Sequence, residues 1–242
     1  MADTHQPAQT PAPQVHLVMP CAGVGTRAGA GQPKQYMPLA GKPLVAHTLA
    51  AFAPLAVLSR CIVVLAPDDR AWPLPPGDYE LLHRGGDSRA ASVRAGLAHL
   101  LDTGAAQHDW VMVHDAARCL LRPSDVQALV QACLRDGQGG LLALPLPDTL
   151  KQADAQGRVA QTLARSDKWL AQTPQMFRLG ALFEALSGDL SGITDEASAM
   201  ERAGAAPLLV EGAAMNVKVT YPSDFALAEA VLRAQQMTGE RT

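Results

Sequence analysis

Short, mostly apolar runs recur along this chain, and a stretch with helical spacing follows each one. That alternation restricts the fold more than any other feature. "VHLVMP" (15–20) reads as a buried strand running into a glycine-rich loop. "PLVAHTLAAFAPL" (43–55) reads as a helix with Pro43 in its first turn. "CIVVLAP" (61–67), "DWVMVHD" (109–115) and "GGLLALPL" (139–146) read as further strands. Between them, "SRAASVRAGLAHLL" (88–101) and "PSDVQALVQACLRD" (123–136) read as helices. Alternation at this pitch predicts parallel strands joined by crossover helices. Continuous rather than alternating apolar strands imply burial on both faces. The expected fold class is α/β, an open, mostly parallel Rossmann-like sheet with helices on both faces.

The rhythm breaks after 147. "DTLKQADAQGRVAQTLARS" (148–166) reads as two strands about Ala155-Gln156-Gly157, a hairpin with modest apolar content in Leu150, Val159 and Leu163. A two-stranded hairpin does not sustain itself in water, so it must lie on something. We expect residues 148–170 to be an inserted β-arm. "TDEASAMERAG" (194–204) returns to helical spacing, with Thr194 as N-cap and Asp195 and Glu196 in the first turn. "PLLVEG" and "NVKVT" read as late strands, and "PSDFALAEAVLRAQQM" as a closing amphipathic helix.

The chain has 242 residues, which suits one α/β domain over 15–242 behind a disordered tail at 1–14 rich in Pro, Ala and Gln. A formal charge of −3 gives no global basic field for nucleic acid. No apolar run reaches the ~18 residues of a membrane helix, and the tail lacks a signal peptide's apolar segment. Cys21, Cys61, Cys119 and Cys133 are widely spaced with no C-x-x-C, which predicts reduced thiols and a cytoplasmic location.

Positive charge is instead local. Gly23, Gly25, Gly29 and Gly31 lie just beyond the first strand with Arg27, Lys34 and Lys42, and no acidic residue occurs between Asp3 and Asp68. The spacing Gly23-x-Gly25-x-x-x-Gly29 is one residue too long for a dinucleotide fingerprint, and the ribose-binding acid is missing. Gly41-Lys42 is followed by Pro43 and lacks the upstream glycine of a P-loop. A loop that wraps a triphosphate fits best. Its glycines bring backbone N–H groups to phosphate oxygens, and Arg27 and Lys34 add charge. The bland alternative is surface cations beside a chance glycine run, and Lys42 is assigned that surface role.

"PCAGVGTRAGAGQPKQY", "GGDSRAASVRAGL" (85–97), "VHDAARCLL" (113–121), "TDEASAMERAG" and "VEGAAMNVKVT" (210–220), in this order, resemble the cytidylyltransferases that act on 2-C-methyl-D-erythritol 4-phosphate in the non-mevalonate isoprenoid pathway. The likeness runs from about Val15 to the last helix. It implies a nucleotide-diphospho-sugar transferase fold. It implies transfer of a cytidylyl group from CTP to methylerythritol phosphate with release of pyrophosphate, assisted by Mg²⁺ or another divalent cation. It also implies a homodimer.

Carried over residue by residue, the resemblance makes Arg27 and Lys34 transition-state stabilisers. Pro20, Cys21, Ala22, Gly23 and Gly25 then line the nucleotide. Gly85, Gly86 and Asp87 face the cytosine and Ser92 touches the nucleotide; Asp87 and Ser88 could equally cap a helix. Asp115 ends a strand, the edge where such sheets bind ligands, and a carboxylate there can hold Mg²⁺ directly or through water. Ala116 adjoins the substrate. Arg118 serves the site or pairs with Asp115, and His114 is assigned no chemistry. Lys218 positions the methylerythritol phosphate; from the residues alone it reads equally as an inward lysine or an outward one on an edge strand. Thr194 and Asp195 lie near the methylerythritol hydroxyls or cap a helix. Thr149 and Arg165 reach the acceptor phosphate of a partner subunit through arm exchange.

Three positions depart from the family pattern. Cys21 stands for the usual Ala, Cys119 for a common Pro, and Met215 for a frequent acid, which leaves Asp115 and the phosphates to hold a metal. Rival readings are a cytidylyltransferase acting on ribitol 5-phosphate, an NAD(P)-dependent oxidoreductase and a non-catalytic nucleotide-binding regulator.

Overall fold

The computed structural model describes residues 13–23 and 32–238. Its first strand shows why the apolar runs are continuous. In β1 (Val15–Pro20) every residue but the last is buried. Val15, Leu17 and Met19 enter one core and Val18 the core on the opposite face. The same division runs through β4 (Leu58–Val64) and β6 (Trp110–Val113), where Val63 and Met112 face one side and Ile62 and Val113 the other. Side chains of a strand alternate between faces, so two covered faces call for apolar residues at nearly every position; the buried His16 is the exception in β1, and it pairs with Asp109.

Helices cover both faces. α1 (Leu44–Ala50) and α3 (Pro123–Asp136) supply Val45, Val126, Leu129 and Cys133 to the first core. α2 (Arg89–Asp102), α4 (Leu179–Ala185) and α5 (Glu196–Arg202) supply Val93, Leu97, Leu182 and Met200 to the second. A third cluster seats α6 (Pro222–Thr238) through Ala228 and Leu232 against Leu39, Leu44, Leu120 and Val219. Each fully buried leucine or valine contributes about 1.5–3 kcal/mol.

β5 (Glu80–Leu82), β7 (Gly140–Pro145), β10 (Trp169–Arg178) and β11 (Leu208–Glu211) complete a seven-stranded sheet ordered β11-β7-β10-β6-β1-β4-β5. β10 alone among them runs antiparallel to its neighbours. Two short pairs stand apart: β2 (Pro38–Leu39) with β3 (Lys42–Pro43), and β8 (Leu150–Ala153) with β9 (Val159–Leu163). The chain winds outward from β1 to β4 and β5, then crosses back to β6 on the other flank of β1. That reversal places a topological switch point at the carboxyl ends of β1 and β6.

The structure corrects several sequence expectations. Pro43 does not lie in the first turn of α1; it ends β3 and caps the helix from outside, and α1 stops at Ala50, four residues before Pro54. A proline disfavours helical backbone at the residue before it, so Pro54 stops a helix from running through Ala53 to Leu55. Asp195, not Thr194, is the N-cap of α5, in a capping box with Ser198. "NVKVT" forms no strand, and Val219 nevertheless packs fully buried in the third cluster. The arm closes before 169, because Trp169 and Leu170 already pair with β7. The tail expectation falls mainly on residues 1–12, outside the described residues. Gln14 belongs to the fold: its N–H donates to Asp109 at 2.9 Å and its carbonyl accepts from Trp110 N at 2.7 Å.

β10 and α4 were not anticipated. The strand reads "WLAQTPQMFR", and its central Gln-Thr-Pro-Gln has no apolar alternation. Gln172, Thr173 and Gln175 are buried, yet each is satisfied by distant partners. A buried polar residue is tolerated when its hydrogen bonds are made, and those bonds come from tertiary contacts.

Candidate active site

A cleft of about 490 Å³ opens at the switch point. Pro20, Cys21, Ala22 and Gly23 line it from the end of β1, and Asp115, Ala116 and Ala117 from the end of β6. Gly86, Asp87, Ser88, Arg89 and Ser92 come from the entry to α2, Lys34 and Gln35 from a short 3-10 turn, and Lys218 from the irregular segment before α6. Gly25 and Arg27 lie outside the described residues.

The turn before α2 is built on two glycines. A Cβ on Gly85 would stand 2.3 Å from the Ala22 Cβ and 2.7 Å from the Leu65 carbonyl, so only glycine fits there. Gly85 lies behind the cleft wall; its N–H donates to Leu65 O at 2.7 Å. Ser88 caps α2 by accepting from Ala91 N. The buried Ser92 hydroxyl accepts from Gly86 N at 3.1 Å and donates to Ser88 O at 3.0 Å. The turn is therefore rigid before any ligand arrives. Asp87 is exposed at the cleft and does not cap the helix.

Gln35 holds the start of the glycine loop, donating to Cys21 O at 2.7 Å and Gly23 O at 3.0 Å. Lys34 Nζ donates to Val219 O at 2.7 Å. Lys218, next in the chain, places its ammonium 2.7 Å from Asp115 Oδ2. One peptide thus brings two lysines to one cleft, and Lys218 is neither an ordinary edge-strand cation nor buried without a partner.

Asp115 is buried and bounded by cations. Arg89 Nε lies 2.7 Å from its Oδ1, and Arg118 Nε lies 4.0 Å from its Oδ2. Burial alone would raise this carboxyl, but Arg89 and Lys218 outweigh it and hold it below the usual range. Arg89 also forks onto the buried Glu196, at 2.6 and 3.0 Å. Burial pushes Glu196 above its ordinary value, opposed by that fork. Arg118 is chiefly a tie, donating to Asn216 O at 2.6 Å. His114 is enclosed: Nδ1 meets Thr173 Oγ1 at 3.0 Å and Nε2 meets Arg118 O at 3.1 Å. Burial lowers it to about 4, so it is neutral at pH 7.

Among the described residues, no group of three His, Cys, Asp or Glu side chains could hold a metal ion. Both Asp115 oxygens already carry a cation at 2.7 Å. The described side chains alone therefore make no metal site, and a magnesium ion at Asp115 would share that carboxylate with Arg89 and Lys218 and take its other ligands from phosphate oxygens and water. The four cysteines are free and buried, and burial lifts Cys61, Cys119 and Cys133 to about 12, far from nucleophilic.

Thr149 and Arg165 flank the arm, exposed, and do not line this cleft; Arg165 donates to Pro147 O. Thr194 and Asp195 also stay off its lining: Asp195 caps α5 and accepts from Gln175 Nε2 at 2.8 Å. Sequence reasoning missed Arg89, Gln35 and Glu196. Arg89 sat inside the quoted "GGDSRAAS" motif, and an arginine beside a helix cap near a glycine turn was the available signal. Gln35 and Glu196 also sat in quoted motifs, Glu196 as a first-turn acid, but no local signal showed that Gln35 ties down Cys21 and Gly23 or that Glu196 takes Arg89.

A doubly wound sheet whose switch point opens on a glycine turn and two converging lysines defines a nucleotide-binding α/β protein of the nucleotidyltransferase class. A family model described as 2-C-methyl-D-erythritol 4-phosphate cytidylyltransferase matches residues 15–234, and the chain belongs to that family. The 2-C-methyl-D-erythritol 4-phosphate cytidylyltransferase of Chromobacterium violaceum is 53% identical over 225 residues, covering 90% of this chain and 97% of the relative. The bifunctional enzyme IspD/IspF of Albidiferax ferrireducens is 57% identical over 237 residues, and the match spans 96% of this chain but 56% of that longer protein. A crystal structure of 4-diphosphocytidyl-2C-methyl-D-erythritol synthase superposes with a TM-score of 0.80 at 37% identity, covering 91% of this chain and 99% of the other.

Proposed function

We propose that this chain transfers a cytidylyl group from CTP to the phosphate of 2-C-methyl-D-erythritol 4-phosphate. The observation that carries the reading is the convergence, at one sheet edge, of Lys34, Lys218 and the rigid Gly86–Ser92 turn. An oxygen of the acceptor phosphate attacks the α-phosphorus of CTP. The bond from that phosphorus to its bridging oxygen breaks, and pyrophosphate leaves with the electron pair. Such displacements need alignment and charge neutralisation more than covalent help.

Lys34 supplies a fixed charge to the α-phosphate, with Arg27 expected beside it. The backbone around Gly86 offers fixed groups to the cytosine, which presents an amino donor and a carbonyl acceptor. Lys218 serves the acceptor phosphate, for which it must share or leave Asp115. A divalent cation enters on the triphosphate, held mainly by phosphate oxygens, and no step here runs through it. Thr194 and Asp195 at the head of α5 are assigned to the acceptor hydroxyls.

The arm is assigned to a homodimer in which Thr149 and Arg165 complete the partner's site. Its exposed, polar strands support this, since a hairpin paired only with itself is marginal in water. Among the described residues no helix is long and apolar enough to cross a membrane, and free cysteines support a reducing, cytoplasmic setting.

The test is a panel of acceptors with CTP, scored by pyrophosphate release. Turnover is expected with methylerythritol phosphate and at most slight turnover with ribitol 5-phosphate. The reverse order, or NAD(P) binding in place of CTP binding, would falsify this reading.

A further inference from the structure

Arg89 lines the cleft, yet its charge is committed inward. Glu196 opens α5 and is 1% exposed. Its two oxygens take both terminal nitrogens of Arg89, at 2.6 and 3.0 Å. That fork leaves Nε, which donates to Asp115 Oδ1 at 2.7 Å, while Lys218 holds the other oxygen at 2.7 Å. The two Asp115 oxygens therefore have separate anchors.

We infer that Arg89 and Glu196 are a positioning pair, fixing the Asp115 carboxylate at the cleft independently of Lys218. The two anchors differ in kind. Lys218 is 39% exposed on an irregular segment, whereas Arg89, the first residue of α2, is 25% exposed and clamped between Glu196 at the head of α5 and Asp115 beyond β6. The inference rests on the proposed reaction, in which Lys218 turns toward the acceptor phosphate. At that moment Arg89, at 2.7 Å, is the cation within hydrogen-bond distance of the buried carboxylate, with Arg118 farther off at 4.0 Å, and an unpaired buried charge is costly. Glu196 matters because an unclamped guanidinium would swing to an incoming phosphate, which it recognises equally well. The pair thus makes Asp115 a stationary acceptor while the lysine moves.

The experiment is a cycle of Arg89→Met/Glu196→Leu, Glu196→Gln and Arg89→Lys, each alone and combined with Asp115→Asn. Buried ion pairs replaced whole by apolar residues often keep stability, so the double variant separates positioning from scaffolding. The double variant is expected to melt near the wild type. Its kcat/KM for the acceptor should fall at least about tenfold, with the CTP KM within about threefold, and no further loss should appear in the Asp115→Asn background. Arg89→Lys and Glu196→Gln carry the same cycle if the double variant does not fold. Wild-type turnover, or losses that multiply across the cycle, would overturn the pair. A wild type inactive with CTP and methylerythritol phosphate counts against the reaction instead. A crystal structure of a folded variant needs no turnover: the Asp115 carboxylate should leave its wild-type position, and an unmoved carboxylate overturns the proposal.

Discussion

The cleft and the arm are both rich in polar side chains, and their polar groups are held in opposite ways. At the cleft, Asp115, Arg89, Glu196 and Lys218 are tied to one another across 26 to 107 residues of sequence. On the arm, Lys151 donates to Thr162 at 2.7 Å and Gln161 to Gln152 at 2.6 Å, each directly opposite in the hairpin. Every residue of β8 and β9 is exposed or half-buried. The ties among Arg89, Asp115 and Glu196 come from elements across the sheet, so they hold before ligand binds, while Lys218 is free to turn toward the acceptor. Arm geometry is local, and the hairpin needs another surface to acquire a function.

The largest expected effects test that contrast. Lys34→Ala should lower kcat about 10²-fold or more with a smaller change in apparent CTP affinity, because a preorganised charge acts mainly on the transition state. Near-normal turnover would remove Lys34 from the mechanism. Arg165→Ala should be comparably inactive if the arm completes a partner's site. Mixing the Lys34→Ala and Arg165→Ala proteins should then restore part of the activity, since one site of each mixed dimer carries neither defect. No recovery, with mixed dimers shown to form, returns Arg165 to its own chain's site or to the surface.

Glycines sharpen the comparison at a lower energy. Gly85→Ala must displace Ala22 or the Leu65 backbone, so chemical denaturation should show a loss of about 3 kcal/mol, at the upper end for overpacking. Equal stability would mean the cleft wall yields. In the arm, Gly157 has φ +75° with open space around a new Cβ. Gly157→Ala should cost about 1 kcal/mol through the left-handed backbone alone, without touching the cleft.

Acid should act on the cleft region too. His114 has a folded pKa of about 4, below the 6.5 of its unfolded state. The unfolded chain binds the proton first, so stability is full above 6.5 and falls as pH drops from 6.5 toward 4. The loss from pH 7 to pH 5 should be about 2 kcal/mol, read by denaturation at each pH. Asp115, with its depressed pKa, loses its contribution only in stronger acid. A flat profile between pH 7 and 5 would mean that His114 is not caged as described.

The open sheet was legible in the chain, because double burial leaves nearly continuous apolar runs in β1, in Cys61–Val64 of β4 and in β6. The sequence by itself also determined the glycine turn, the hairpin and most of the cleft's lining, since each is a local feature of a contiguous motif. The tertiary structure alone decided β10, whose buried Gln172 and Gln175 look like loop residues until Ala213, Ala197 and Asp195 satisfy them. It alone decided that Lys218 faces Asp115, a question on which valines at 217 and 219 were silent once no strand formed there. It alone joined Arg89 to Glu196, 107 residues apart. Hydrogen bonds and ion pairs between distant residues leave no periodicity in the chain, and they exist only after the hydrophobic cores have brought the sheet edge and the helix ends together.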